Sequence, residues 1–237
     1  MFSTKRFLTT AVLALFAVSA AMGQADDEMT VEEAFLQESI EMMIIRETSR
    51  SENLDQKMIA LEFIGQAIAR GNTGPEVRQT LEFLSLEGIV NRAVENGRLV
   101  NNFPTVRREA ARYLGMIGTE EARAALIRMS LAETEPMVLQ EAVRSLGIIG
   151  LNPNDETAGA IAWAVTRFDT FNPNNMLALS AIDAFQRIAR SEGNIRDPNV
   201  IRLLMRISEG PYIRPVQARA RNLLMELAGI QIQQQQE

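Results

Sequence analysis

Apolar residues recur along most of this chain at intervals of three and four, the spacing of one helical face. Between Pro104 and Gly118 the stripe is Val106, Ala110, Leu114 and Ile117. That stretch, PTVRREAARYLGMIG, returns 32 residues later as PMVLQEAVRSLGIIG, Pro136 to Gly150, with nine of fifteen positions identical. The second stripe is Val138, Ala142, Leu146 and Ile149. Each copy begins with a proline in the first turn, where the missing N–H costs nothing. Each ends on a glycine suited to a positive φ at the helix C-terminus. Gly115 and Gly147 fall inside the two predicted helices, where glycine is less favourable than alanine by about 1 kcal/mol. A cost taken twice at one repeat position predicts that another backbone passes close by.

A second helix follows each copy. TEEARAALIRMS opens with Thr119 as N-cap and acids in its first turn, and its apolar face is Ala122, Ala125, Leu126 and Met129. NDETAGAIAWAVTRF offers Ala160, Ile161, Ala164 and Val165. Fainter copies begin 39 and 78 residues beyond Pro136. Asn175 to Ala189 carries Leu177, Ala181, Phe185 and Ile188; Arg214 to Ala228 carries Val216, Ala220, Leu224 and Leu227. Upstream, Ala60, Ile64 and Gly65 align with Ala110, Leu114 and Gly115. The pattern predicts about five helix pairs between residues 53 and 229. A single pair cannot bury its stripe alone, whereas stacked pairs share a continuous core. The expected fold is all-α, an α-solenoid of antiparallel helix pairs.

The Pro104-x-Val106-Arg107 start, the alanine, and the Leu-Gly-x-Ile-Gly end resemble HEAT repeats, in particular the short bacterial form also called the phycobilisome-lyase-type HEAT-like repeat. The resemblance runs from about Leu54 to Ala228. It departs from the family pattern at Leu139, which stands where an arginine is common, and in the pairs that lack the glycine. It implies a superhelix of the HEAT/armadillo kind whose second helices line a concave face.

The ends and one interruption break the pattern. Residues 1–23 read as a secretory signal peptide: Lys5 and Arg6, an apolar run from Phe7 to Val18, then small residues at the cleavage position. No cysteine follows, so no lipobox is present, and the expected location is the periplasm or outside the cell. Residues 24–52 form an acidic leader and an N-terminal capping helix. Its capping box is Thr30 to Glu33, and its apolar positions are Ala34, Phe35, Ile40, Met43 and Ile44. Asp197-Pro198 opens a further helix bearing Val200, Leu203, Leu204 and Ile207, and Val77, Leu81 and Leu84 line the one after Gly74-Pro75. Residues 88–103 interrupt the array, and 230–237 are a glutamine-rich tail.

Charge sharpens this division. After removal of 1–23 the chain has 22 bases and 30 acids, a net of −8. Residues 24–62 hold eleven of the acids and three of the bases, so the remainder is balanced. The acidic end reads either as a solubilising leader or as a docking segment for a basic partner; nucleic acid and anionic membrane are disfavoured. Two lysines against 22 arginines suggest fixed carboxylate pairs between helices. Arg112 with Glu109, and Arg144 with Glu141, recur at matching positions and are expected to form a structural ladder.

With no histidine and no cysteine, the usual zinc and copper ligand sets and the Ser–His–Asp and Cys–His nucleophile systems are excluded. No phosphate-binding glycine motif is present. Asp26, Asp27 and the Asn152–Asp155 loop lack an EF-hand pattern. No cofactor, metal or catalytic residue is expected.

The remaining signal is a row. Phe83, Arg128, Trp163 and Arg206 occupy one position in four successive second helices, beside the apolar stripe rather than on it. Trp and Arg are the types enriched at interface hot spots. The competing reading makes Phe83 and Trp163 plugs between neighbouring pairs, with the arginines merely solvated. The expected function is that of a non-enzymatic scaffold or adaptor gripping a protein or peptide on the concave face. The alternatives are a structural subunit of an envelope assembly, for which self-association is expected, and an enzyme related to the bilin lyases that share the repeat.

Overall fold

The computed structural model describes residues 30–169 and 173–234. The expected signal peptide, Asp26 and Asp27 lie outside them. Ten α-helices occur among the described residues. They are α1 (Val31–Arg50), α2 (Leu54–Ala69), α3 (Pro75–Ser85), α4 (Pro104–Ile117), α5 (Glu120–Ala132), α6 (Pro136–Ile149), α7 (Glu156–Asp169), α8 (Asn175–Glu192), α9 (Pro198–Glu209) and α10 (Arg214–Gln234). Two short strands, β1 (Val94–Glu95) and β2 (Arg98–Leu99), interrupt the series. The chain divides into two compact units, Met1–Glu41 and Met42–Glu237.

Of the first unit, residues 30–41 are described. Thr30 stands just before α1, as the capping box requires, but the side chains of Glu33, Ala34 and Phe35 lie outside the description. Leu36 and Ile40 are exposed, and Gln37 donates to Glu41 one turn on, at 3.3 Å.

The second unit is the solenoid. Helices α2, α4, α6, α8 and α10 pack side by side in one layer, and α3, α5, α7 and α9 in the other. Each end of a helix has a chemical cause. Thr119 and Asp197 accept hydrogen bonds from Ala122 N and Asn199 N, and Pro104, Pro136 and Pro198 fill first-turn positions. Gly118 and Gly150 close α4 and α6 with φ of 71° each. One apolar cluster runs from Ile45 in α1 to Leu227 in α10. Within it Ile45 is the fully buried residue of α1, whereas Met43, placed on the apolar face by its spacing, is exposed. On α10 the inward position falls to Leu223, with Leu224 only half-buried.

The interior glycines do what their repetition predicts. A Cβ at Gly115 of α4 would stand 2.7 Å from the Cβ of Ser145 on α6. At Gly147 of α6 it would stand 2.6 Å from the Cα of Ala184 on α8. Gly65 of α2 meets the Tyr113 ring of α4 in the same way. From α2 to α8 the first layer is thus a stack in which each helix meets its neighbour at a glycine notch.

The interruption after α3 is a small hairpin. Asn96 and Gly97 both take positive φ, 49° and 79°, and join Val94 to Leu99 and Glu95 to Arg98 across β1 and β2. Asn-Gly between alternating apolar residues is the sequence signature of such a turn, and here it stands in plain view as VENGRLV. Buried Asn101 ties the hairpin down. Its amide donates to Glu87 Oε1 at 2.7 Å and to the Asn91 carbonyl at 2.6 Å, and its oxygen accepts from Ala93 N at 2.8 Å.

Candidate functional site

Phe83, Arg128, Trp163 and Arg206 lie on α3, α5, α7 and α9, one in each helix of the second layer. All four are exposed: Phe83 at 39%, the Arg128 side chain at 54% and Trp163 at 51%, with Arg206 also open to solvent. The neighbours of Trp163 on α7, namely Ala162 and Ala164, are buried. The indole therefore stands out from a packed helix and does not plug the space between pairs.

Polar links fix the register of the row. Arg128 Nη2 lies 3.2 Å from Glu82 Oε2, joining α5 to α3 level with Phe83. Arg123 Nη2 lies 2.7 Å from Glu156 Oε2, and its Nη1 donates to Thr157 Oγ1 at 3.0 Å, joining the start of α5 to the start of α7. Arg167 donates to the carbonyls of Leu131 and Glu133, at 2.7 and 2.6 Å, where α5 ends. Its guanidinium lies 4.9 Å from the Trp163 ring centroid. A cation on the carbonyl end of one helix is thus roofed by the aromatic of the next.

At α9 the row bends. A Cβ at Gly159 of α7 would stand 2.5 Å from Asp197 Oδ2, and Arg196 N donates to Asp155 Oδ2 at 3.0 Å. Carried along the two helices, offsets of 38 and 41 residues bring the stretch from Ile201 to Leu204 level with Trp163, so that Arg206 stands beyond it. Sequence alignment had set Arg206 beside Trp163. Arg202, which the repeat pattern does not single out, lies nearer the level of Trp163.

The expected ladder of Arg112, Glu109, Arg144 and Glu141 takes another form. Each pair closes within its own helix, at 2.8 Å in both cases, so neither links neighbouring helices. The arginine links between helices fall elsewhere. Arg107, buried in α4, is bidentate to Glu133 at 2.8 and 3.2 Å and also donates to Glu87 O and Asn102 Oδ1, at 3.0 and 2.8 Å. Glu133 Oε1 in turn accepts from the backbone N–H groups of Thr134 and Glu135. The equivalent of Arg107 in the next copy is Leu139, equally buried. Beside this cluster Lys57 donates to Ser49 O at 2.9 Å and lies 3.2 Å from Glu87 Oε2, an ion pair not aligned as a hydrogen bond. Its ammonium also sits 5.6 Å from the Phe83 ring centroid.

Electrostatics follow the layer's polarity. The second-layer helices run the same way, so Glu76, Glu120, Glu121 and Glu156 cluster in first turns, where the helix dipole favours them. The Glu120 carboxyl is held below its ordinary range by the hydrogen bond from Arg123, and Arg123 is raised by Glu120 first and Glu156 second. In the Asn152–Asp155 turn, Asp155 Oδ1 accepts from Asn152 and Oδ2 from Arg196 N, so both carboxylate oxygens serve the backbone path. Among the described residues no three acids converge as a metal-binding group. Two open surface grooves accompany the array. One, of about 360 Å³, is lined by Arg46, Arg50, Glu76 and Phe83 among others; another, of about 310 Å³, lies between α2 and α4 around Tyr113. No helix among the described residues is long and apolar enough to cross a membrane.

Residues 97–170 match the family model described as HEAT repeats. That stretch contains the hairpin's second strand and helices α4 to α7, the two clear copies of the repeat. The resemblance to HEAT-repeat proteins, helical arrays that generally serve as scaffolds for protein interaction, thus rests on the sequence match and the two-layer fold together. No curated protein matches the chain.

Proposed function

We propose that this chain is a non-enzymatic scaffold of the periplasm or the extracellular space that docks a protein or peptide partner on the face of its second helix layer. One observation carries the reading: four successive second-layer helices expose Phe83, Arg128, Trp163 and Arg206 beside their buried apolar stripes. Side chains of these types anchor interfaces when a partner desolvates them. The helices beneath are packed and cross-linked, so docking orders little of the scaffold, and a preorganised surface loses less free energy on binding. The mechanism is shape and anchoring, without a covalent step. The location rests on the n-region, apolar run and small-residue site of residues 1–23.

Affinity capture from an envelope extract of the source cell tests it, using the mature protein beside Trp163→Ala and Arg128→Glu. The expected result is one or more partners retained by the parent and lost by both variants. An identical set of partners for all three proteins rules out the second-layer face.

A further inference from the structure

Resting on that docking face, we infer that the partner presents an acidic, apolar-spaced peptide segment to the band around Trp163. The first argument is charge. Arg128, Arg167 and Arg206 lie in the second halves of α5, α7 and α9, and Arg202 one turn before Arg206, all away from the first-turn acids of α5 and α7; Asp169 and Glu209 end α7 and α9. Arg167 bonds to two backbone carbonyls and Arg202 to the amide oxygen of Asn199, at 2.9 Å. These acceptors are neutral, so the hydrogen bonds orient the guanidinium groups without cancelling their charge. Arg128 shares Glu82 with Arg78, two cations on one carboxylate. With Arg78 included, five arginines stand against Glu82, Asp169 and Glu209, so the band is net positive on a chain whose total is −6.

The second argument is geometry. Trp163 rises between α5 and α9, half exposed, with one cation already on its ring. A carboxylate chain lying across the three helices meets an arginine on either side of the indole, and an apolar residue between carboxylates meets the indole itself. Arginine's planar fork pairs with carboxylates in two bonds, which fixes orientation as well as attraction. A basic segment would face a net positive band, and a purely apolar one would desolvate its charges.

Trp163 is the sole tryptophan, so its emission reports on this band alone. The full-length mature protein is titrated with a synthetic peptide of glutamate and leucine that lacks tryptophan, with a lysine–leucine peptide and with a serine–leucine peptide. The expected result is a saturable emission change with the glutamate peptide only. Raising salt from about 0.05 to about 0.5 M should weaken it at least about tenfold. The double variant Arg202→Glu/Arg206→Glu should lose the response, while Arg92→Glu/Arg221→Glu, with the same change in charge elsewhere on the surface, keeps it. A saturable Trp163 response to the lysine or serine peptide instead overturns the acidic class but leaves the docking face standing. Equal weakening in both double variants shows attraction by overall charge and overturns the band as the site. No Trp163 response to any of the three peptides overturns the acidic class and counts against the docking face itself.

Discussion

The two helix layers solve one problem, holding a helix against the same helix of the next pair, by different means. In the first layer, α4, α6 and α8 touch through Gly115, Ser145, Gly147 and Ala184, and no charged group takes part at those points. In the second layer, α3, α5 and α7 are joined by long arginines: Arg128 to Glu82, Arg123 to Glu156, Arg167 to the end of α5. Contact through small residues demands a small residue wherever a notch is used, because a backbone must pass through it. Contact through a flexible side chain tolerates change, since its partner can be a carboxylate, a hydroxyl or a carbonyl. The layer that repeats clearly is therefore the one least free to carry a site, and the layer that varies has the freedom to display Phe83 and Trp163.

The largest test of this contrast is Arg107, the one buried arginine that reaches from the first layer to the ends of both α3 and α5. Replacing it with methionine leaves Glu133 buried without its charge partner, and breaking such a pair costs about 3–5 kcal/mol. Denaturant unfolding of Arg107→Met should show that loss, and adding Glu133→Leu should recover much of it. The next copy already uses the apolar solution, with Leu139 in the same place. A single variant as stable as the parent would mean that the arginine links are ornamental in both layers.

The glycine notch comes next. Gly147→Ala gains helix propensity but drives a methyl into the Ala184 backbone, and overpacking of this kind costs about 1–3 kcal/mol. Gly229 in α10 has nothing within 4 Å of its missing Cβ. There the same substitution should be neutral or stabilising by up to about 1 kcal/mol. Thermal melts should fall for Gly147→Ala and hold or rise for Gly229→Ala. If they move together, close approach is not why glycine recurs.

Gly115 and Gly147 also show what the sequence could disclose. Their cost is paid twice at one spacing, and a repeated cost has a readable cause. The pairing of Arg107 with Glu133 has no such signature. The two are 26 residues apart, only one copy carries the arginine, and nothing periodic links them. The hairpin was legible in its Asn96-Gly97 turn, yet the helical period on both sides made it look like mere interruption. Exposure of the row follows from its place beside the stripe. Its bend at α9 does not, because alignment counts residues while the contacts of Gly159 with Asp197 and of Asp155 with Arg196 set the register.

A smaller effect on stability is expected at Trp163. Trp163→Ala uncovers Arg167 but leaves its bonds to the α5 carbonyls, so unfolding should change by about 1 kcal/mol or less, as for partly exposed sites. The same variant should lose partner binding by about 2 kcal/mol or more if Trp163 is an anchor. A variant that unfolds readily instead would place the indole with the packing residues and erase its contrast with Gly147.

The smallest expected effect is a response to acid that only the second layer should show. Glu120 is held below its ordinary range by its hydrogen bond from Arg123, and Glu121 is lowered by its own backbone N–H and then by Thr119. A carboxyl whose folded pKa lies below its unfolded one adds stability above the unfolded value and loses it as pH falls through the folded one. Both groups are exposed, so the contribution is modest and is screened by salt. Glu120→Gln should therefore narrow the gap in stability between about pH 7 and about pH 3 by a small margin. The deficit of Gly147→Ala should be the same at both, because no group at its contact with Ala184 changes protonation. A Gly147→Ala deficit that varied with pH as the Glu120 contribution does would mean that the two layers are coupled more tightly than their separate chemistries imply.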